Sequence, residues 1–463
     1  MVHHKRSSLP PKDHFQKLPE SLILIIISFL PFKEAVRTSV LSKHWCNFWR
    51  STGNVELNEG FFVDPEDSVE NQREQRRNFL DFAQKWIREF QEPCIRNFAL
   101  VFSRRIDIAK YMQGWVKFAL DHHTKGLTLD LSDPTWDDED LLKKQKPIFH
   151  LPSQAYKYKG FESLNLVLCK VNVSALVNLG MLKDLSLAWM ELSGSHINTL
   201  LKNCPLLESL SVKRCWGFEQ IDISFVKLRL EKLVIDKCLF NNGTCWISIE
   251  GPELRYFNYS GPVGLFYLEN QSGLDEAYLD FGMVTEFEPL DSEIYIYTFL
   301  EQIQFANVLS VCSYLIQLIP YGNFAPFALC ANHLILKTSL HAREFLGIKF
   351  LLDSCILLET LTIEIYPTKI FTDVERPYVN WARDFFEKLF LKVVEVKGFK
   401  GTDDELYTLQ FILRIGKAIE QVNIYICREV DDDGGINMEH YAERAQLVHE
   451  LSKASKNVRI SIY

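Results

Sequence analysis

Eleven cysteines and twelve histidines are the side chains of this sequence that could ligate a metal or carry redox chemistry. Zinc needs Cys or His ligands in paired clusters, and dithiol chemistry needs two sulfurs about one helical turn apart. No C-x-x-C occurs, and no Cys/His group has finger spacing. His3-His4 and His122-His123 have no second ligand pair at helical spacing and read as surface residues. The acidic run Asp431 to Asp433, with two glycines behind it, begins like a calcium loop. Such a loop needs a bidentate acid at its twelfth position, and counting from Asp431 that position is Ala442, so the run reads as a solvated loop. The G-x-S-x-G, P-loop, dinucleotide-binding and H-E-x-x-H patterns are all absent. The chain is read as not an enzyme, with no metal and no cofactor.

The cysteines instead mark an internal repeat. "FESLNLVLC" ends at Cys169, "LESLSVKRC" at Cys215 and "LEKLVIDKC" at Cys238, each fitting L-x-x-L-x-L-x-x-C with apolar residues at the L positions. "LKDLSLAWM" from Leu182 and "LETLTIEIY" from Leu358 keep the apolar frame and end in Met190 and Tyr366. The central leucines at 164, 185, 210 and 233 are spaced by 21, 25 and 23 residues, inside the leucine-rich-repeat period of roughly 20 to 29. In a strand, the L-x-L pair points to one face. One repeat cannot bury that face alone, so repeats stack. The cysteine ending the motif is expected to turn inward and bond loop backbone. Cys204 and Cys355 share a second repeat position, just before an apolar entry into a strand, in "SHINTLLKNCPLLESL" and "REFLGIKFLLDSCILLETL".

Weaker strand-like copies begin at Leu254, Leu274, Leu300 and Asn332. Helix-then-strand units flank the clear repeats: "FLDFAQKWIREFQEPCIRNFALVF" and "IAKYMQGWVKFALDHHTKGLTLDL" upstream, and "WARDFFEKLFLKVVEVKGF", "ELYTLQFILRIGKAIEQVNIYI" and "YAERAQLVHELSKASKNVRISIY" downstream. The charged segment Asp64 to Arg77 reads as a loop or linker, as does Glu429 to Asn437. Trp189, Trp216, Tyr256 and Tyr259 are aromatic strand positions suited either to partner binding or to packing.

Near the N-terminus, Leu22 to Leu30 is apolar except for Ser28. The run is too short to span a bilayer, which takes roughly 20 residues. Pro19 opens it as a helix and Pro31 closes it. Leu22, Ile23, Ile26, Ile27 and Leu30 form one apolar face, and Leu24 and Ile25 add apolar surface on the other side. The phase leaves two assignments open: Ile23 and Ile27 inward with Ile26 outward, or the reverse. Lys33 to Trp49 has a second helical pattern. Two helices with this much apolar area in so few residues cannot satisfy it internally, so part of it is expected to face a partner.

This stretch, "LPESLILIIISFLPFKEAVRTSVLSKHWCNFW", resembles the F-box of plant F-box/leucine-rich-repeat proteins. The resemblance is carried by Leu18-Pro19, the Leu/Ile-rich helix, "SFLP", "AVRTSVLSK", Trp45 and Trp49. His44 and Cys46 stand where Arg is usual in that family. "LKVVEVKGFKGTDDELYTLQFILRIGKAIEQVNIYI" resembles the FBD domain that ends many of these proteins. The implied fold class is α/β: an N-terminal all-helical F-box, then a leucine-rich-repeat solenoid of parallel strands with convex-side helices, continuing into an FBD region. The implied boundaries are a flexible tail at 1–14, the F-box at 15–55, a helical linker and solenoid start at 56–94, leucine-rich repeats at 95–374 and the FBD domain at 375–463.

The resemblance implies the substrate-recognition subunit of an SCF (Skp–cullin–F-box) E3 ubiquitin ligase. The F-box would dock on a Skp-type adaptor, and through it on the cullin–RING ligase. The repeats would hold a protein substrate for ubiquitination and degradation. The implied adaptor-facing residues are Leu18, Pro19, Leu22, Ile26, Leu30, Val40, Leu41 and Trp45. Two alternatives remain open at this point: a hormone-type small-molecule receptor on the same scaffold, and a non-degradative repeat scaffold. The receptor reading calls for a ring of basic side chains, whereas Lys213, Arg214, Lys232 and Lys237 are scattered. A net charge of −9 disfavours a nucleic-acid partner, and no membrane partner is expected. Basic residues near Met1 are not followed directly by an apolar signal region, so the chain is expected in the nucleus and/or cytoplasm, where its N-x-S/T sequons go unused.

Overall fold

Short parallel strands joined by helices and loops build most of the chain, in a computed structural model that describes residues 18–90, 92–103, 109–147, 149–177, 179–223, 229–241, 245–269, 273–282, 293–319, 327–366, 390–428 and 438–463. The expected tail, the pair His3-His4, the acidic run at Asp431 and the helix candidate opening at Trp381 fall outside these residues. The chain divides into two compact units, Met1–Leu182 and Lys183–Tyr463.

The first unit opens with helices α1 (Glu20–Ser28) and α2 (Phe32–Arg37) and two 3-10 turns, Thr38–Val40 and Phe48–Ser51. Four parallel strands follow: Asn54–Asn58, Asn97–Val101, Gly126–Asp130 and Ser163–Val167. Their register aligns Val55, Phe98, Leu127 and Leu164 in one buried row and Leu57, Leu100, Leu129 and Leu166 in the next. Helices α3 (Val69–Glu89) and α4 (Ala109–Asp121) connect the first three strands.

The charged segment Asp64 to Arg77 is therefore not a linker beyond its first residues. Ser68 caps α3 by accepting a hydrogen bond from the Asn71 amide, and the helix continues for 21 residues. Its charges are used locally: Arg76 Nε donates to Glu59, a carboxylate only 2% exposed. The apolar half begins at Phe79, and Ala83 and Trp86 continue its buried stripe.

In the second unit, eleven of the described strands run parallel in one ladder from Asp184–Ala188 to Arg459–Ile462. The repeat leucines occupy its inward rows as expected: Leu185, Leu210 and Leu233 pair in register and are buried. The strands expected from Leu254, Leu274 and Asn332 are present as well, at Tyr256–Ser260, Glu276–Asp280 and His333–Thr338. The copy at Leu300 is different: it lies in a helix, Glu293–Gln302, and the strand of that repeat is Val308–Cys312. Phe299, Leu300 and Ile303 are all buried, an i, i+1, i+4 pattern that suits a helix better than an alternating strand. Downstream, the strands Val393–Phe399, Gln421–Ile426 and Arg459–Ile462 and the helices Asp403–Ile415 and Met438–Gln446 continue the helix-then-strand order.

The cysteines ending the repeats do what the motif requires. Cys215 Sγ lies 3.4 Å from the Lys213 carbonyl and 3.6 Å from the Leu187 carbonyl on the preceding strand. Cys238 makes the same pair of contacts with Asp236 and Val212, and Cys169 with Val167 and Leu129. The residue before each cysteine is left-handed: Leu168, Arg214 and Lys237 have φ of 56°, 49° and 50°. This conformation turns the chain at the strand end and aims the amide at the next strand, as in Arg214 N–H to Asp236 O at 2.6 Å.

The second layer departs from an all-helical expectation. Helices Gly194–Asn203 and Phe345–Ser354 are present, but the intervening repeats carry a three-stranded parallel sheet of Ile221–Asp222, Cys245–Glu250 and Gly264–Glu269. "CWISIE" alternates strictly, burying Cys245, Ile247 and Ile249, and its β-branched residues favour a strand over a helix. Gly264 is required there, because a Cβ would stand 2.3 Å from the Cys245 carbonyl oxygen.

Glu344, at 0% exposed, closes the turn before helix Phe345–Ser354. Its Oε2 accepts from the His341 amide at 2.7 Å and from Ser339 Oγ at 3.1 Å. Burial pushes its pKa up from 4.5 to about 7. A carboxyl whose folded pKa lies above its unfolded one contributes stability that is complete below the unfolded value and is lost as pH rises through the folded value. The urea midpoint of the chain is thus expected to fall between about pH 5 and pH 8, and Glu344→Gln should flatten that slope. An unchanged slope in the variant would remove Glu344 as its cause. Burial also pushes the Cys215 thiol up to about 12. Brief alkylation of the native chain, read by mass spectrometry, should label exposed Cys46 and Cys94 and leave Cys169, Cys215 and Cys238 protected until denaturant is added.

Candidate partner-binding surface

The helix α1 divides its apolar residues between an inside and an outside. Pro19 and Pro31 precede α1 and α2, where a missing amide costs nothing and φ is already near −55°. Ile23 and Ile27, one turn apart, are 0% exposed and pack with Ala35 and Trp45 in the small core of the helical segment. Leu18, Leu30, Phe48 and Trp49 are packed against that core and remain partly exposed. Of the two phases open in the sequence, the structure has Ile23 and Ile27 inside and Ile26 outside.

What is left outside is a surface of large apolar side chains. Leu22, Leu24, Ile25 and Ile26 are exposed along α1, and Phe29 just beyond it is 81% exposed. Val40 and Leu41, at the end of the first 3-10 turn, are 84% and 64% exposed. Fully burying each such side chain contributes about 1.5–3 kcal/mol, so the surface represents a large association energy held in reserve. The charged side chains nearby, Glu20, Lys33 and Lys43, are exposed, and Arg37 pairs with Glu34 at 2.7 Å.

The second helix is shorter than its sequence pattern. It ends at Arg37, where the Thr38 hydroxyl donates to the Ala35 carbonyl at 2.7 Å. Ser42 Oγ then accepts from the Trp45 amide at 3.4 Å. Hydroxyl side chains offer the backbone an alternative to the helix, and here they break Lys33–Trp49 into turns that carry Val40 and Leu41 outward.

The implied adaptor-facing residues therefore separate into groups. Pro19, Leu22, Ile26, Val40 and Leu41 are exposed, while Leu18 and Leu30 are half-buried. Trp45 is 3% exposed and belongs to the core, which removes it from the contact surface. Phe29, Leu24 and Ile25 complete the surface and were missing from the motif-based set; the all-round greasiness of the run was their signal. Among the aromatic strand candidates, Trp189, Trp216 and Tyr259 are buried packing residues, whereas Tyr256 is half-buried. Among the described residues, no group of three His, Cys, Asp or Glu could hold a metal ion, and no helix is long and apolar enough to cross a membrane.

Comparison with known proteins places this geometry. The F-box domain family matches residues 15–56, and the family described as At1g61320/AtMIF1, LRR domain, matches residues 92–402. The chain belongs to the F-box/leucine-rich-repeat proteins. A relative from Arabidopsis thaliana, At5g54820, whose name describes an F-box/LRR-repeat protein, is 31% identical over 97% of this chain and 97% of its own length. F-box protein At3g62230 from the same plant is 30% identical over 97% of this chain and 98% of its own. F-box/FBD/LRR-repeat protein At4g26340 is 28% identical over 58% of this chain and 60% of its own length. In this F-box/leucine-rich-repeat protein, the exposed apolar surface lies wholly inside the matched F-box.

A substitution pair separates core from surface. Trp45→Ala should lower the stability of the helical segment by about 3–5 kcal/mol, whereas Leu41→Asp should change it by no more than about 0.5 kcal/mol. Thermal or urea unfolding of the full chain followed by Trp fluorescence measures both, and equal losses would contradict this division.

Proposed function

We propose that this chain is the substrate-recognition adaptor of an SCF-type E3 ubiquitin ligase. One observation carries the reading: seven large apolar side chains of the F-box, from Leu22 to Leu41, stand exposed on α1 and the turn after α2. A surface of this kind, rimmed by charged residues, marks a protein-binding site. Its occupant in this reading is a Skp-type adaptor, with Leu22, Ile26, Val40 and Leu41 inserted into it and Leu18, Pro19 and Leu30 at the margin.

The chain then contributes position rather than bond-making. Binding adaptor at one end and a protein substrate on the repeats makes transfer of ubiquitin to a substrate lysine effectively intramolecular. The chemistry belongs to the other subunits, and no residue of this chain is assigned a catalytic role. We further assign residues 375–463 to an FBD domain. That assignment is supported by the helix-then-strand order of Asp403–Ile415 with Gln421–Ile426. The working place of such an adaptor is the nucleus or cytoplasm.

Co-purification with a Skp-type adaptor tests the reading. Wild-type chain should form a stoichiometric complex, and Leu22→Asp/Leu41→Asp should lose it while keeping its circular dichroism. Failure of the wild type to bind while folded would leave a repeat scaffold with a different partner.

A further inference from the structure

Within the first unit, the 3-10 turn Phe48–Ser51 and helix α3 wall a cleft of about 440 Å³, inside the range of roughly 300–1,000 Å³ usual for small-molecule sites. Phe82, Lys85, Trp86 and Glu89 stand at i, i+3, i+4 and i+7 on α3, so one helix face supplies them all. Trp49 and Arg50 come from the turn, and Phe90 lies just past the helix end. The walls are mainly aromatic: Trp49 stacks over Phe82 at 6.3 Å, and Trp86 meets Phe90 at 4.8 Å. Arg50 and Glu89 pair at 3.5 Å and compensate each other, and the Arg50 guanidinium also lies 5.7 Å from the Trp49 ring. Lys85 is different. It is exposed and holds no ion pair among the described residues, although Asp81 and Glu89 are one turn away on the same helix. Trp86 is 4% exposed, and its indole N–H has no hydrogen-bond partner. A buried donor in that state is destabilising until an acceptor meets it.

We propose that this cleft binds a small planar aromatic molecule bearing a carboxylate. Its rings offer flat apolar surface against which another aromatic ring packs offset or edge to face. The polar groups decide the rest. With Arg50 and Glu89 cancelling, the cleft keeps one uncompensated positive charge, on Lys85, and one unmet donor, on Trp86. A carboxylate carries two acceptor oxygens and the opposite charge, which answers both. An aromatic cation would meet Lys85 as a like charge and leave the indole N–H unpaired. An aliphatic acid would satisfy the charge and leave the ring walls uncovered. The cleft uses none of the residues assigned to the adaptor, so this proposal stands or falls apart from that reading.

The test is isothermal titration calorimetry of the full-length chain with naphthoate at low and high ionic strength. Naphthylmethylamine keeps the ring and reverses the charge, cyclohexanecarboxylate keeps the charge and removes the ring, and N-acetylphenylalanine amide is a neutral, protein-like aromatic. Naphthoate should bind saturably at one site, and each control about tenfold more weakly or worse. Trp86→Phe, which keeps a ring and removes the N–H, should weaken naphthoate binding by about tenfold. Lys85→Gln, at an exposed position that folding does not depend on, should weaken it by about two- to fivefold and reduce its salt dependence. Leu22→Asp/Leu41→Asp should leave it unchanged. Circular dichroism shows that the variants remain folded. Absence of saturable binding, equal affinity for the amine, or full affinity in both Lys85→Gln and Trp86→Phe would overturn the proposal. So would equal affinity for the neutral amide, which would make the occupant an aromatic side chain of a protein, or loss of binding in Leu22→Asp/Leu41→Asp, which would move the ligand to the surface of α1.

Discussion

In each ladder, a strand of about five residues closes its backbone hydrogen bonds only on the strand before it and the strand after it. The same positions must therefore recur at every strand end, or the register fails and the inward leucines are carried out to solvent. The cysteine turn satisfies this constraint chemically. A thiol reaching the carbonyl of its own strand and that of the preceding strand, as Cys215 reaches Lys213 and Leu187, ties two successive layers at one atom. The left-handed residue before it bends the chain while keeping its own amide paired. Apolar surroundings hold these thiols protonated, so they serve as weak donors and stay chemically quiet.

Once the ladder is fixed, the other layer is free to vary. What it must supply is apolar cover for the inward rows, and either a helix or a second strand can do that. Helix Phe345–Ser354 approaches the short helix Ser313–Leu318 so closely that a Cβ at Gly347 would stand 1.8 Å from the Ile316 carbonyl oxygen. In earlier repeats of the same ladder, Cys245–Glu250 and Gly264–Glu269 cover the core as strands. A strand exposes every second residue, and this is how Trp246 and Tyr267 come to the surface without weakening the packing beneath them.

The sequence made most of the ladder legible because burial there demands one residue type at one spacing. Leu164, Leu185, Leu210 and Leu233 are inward strand residues for that reason, and the role of Cys169, Cys215 and Cys238 follows from where the motif ends. Legibility failed where a short pattern fits two structures. "LEQIQF" alternates like a strand, yet Phe299, Leu300 and Ile303 also make a helical stripe, and tertiary packing chose the helix. The charges of Asp64 to Arg77 concealed a helix whose apolar half begins only at Phe79. In the F-box, periodicity alone left the phase of α1 open, because Ile23, Ile26 and Ile27 are equally apolar. Trp45 was grouped with the contact residues, although its ring fills the core that Ile23 and Ile27 leave open.

That core is small, and its size bears on how the F-box can transmit position. Four fully or nearly fully buried side chains would not by themselves hold a helical segment rigid. Additional anchorage comes from α3. Phe32 meets Trp86 edge to face at 5.8 Å, and Trp49 stacks over Phe82 at 6.3 Å. The Asn54 side-chain amide donates to the Ser28 carbonyl at 2.9 Å, tying the end of α1 to the first strand. Aromatic pairs of this kind add about 0.5–1.5 kcal/mol each beyond their buried area. Helix α3 in turn packs Phe79 on Phe102, at the end of the second strand. The apolar surface of α1 is therefore fastened to the first strands through a chain of ring contacts rather than through a flexible joint. A partner held on that surface would therefore be carried on the first strands themselves, without a hinge between them.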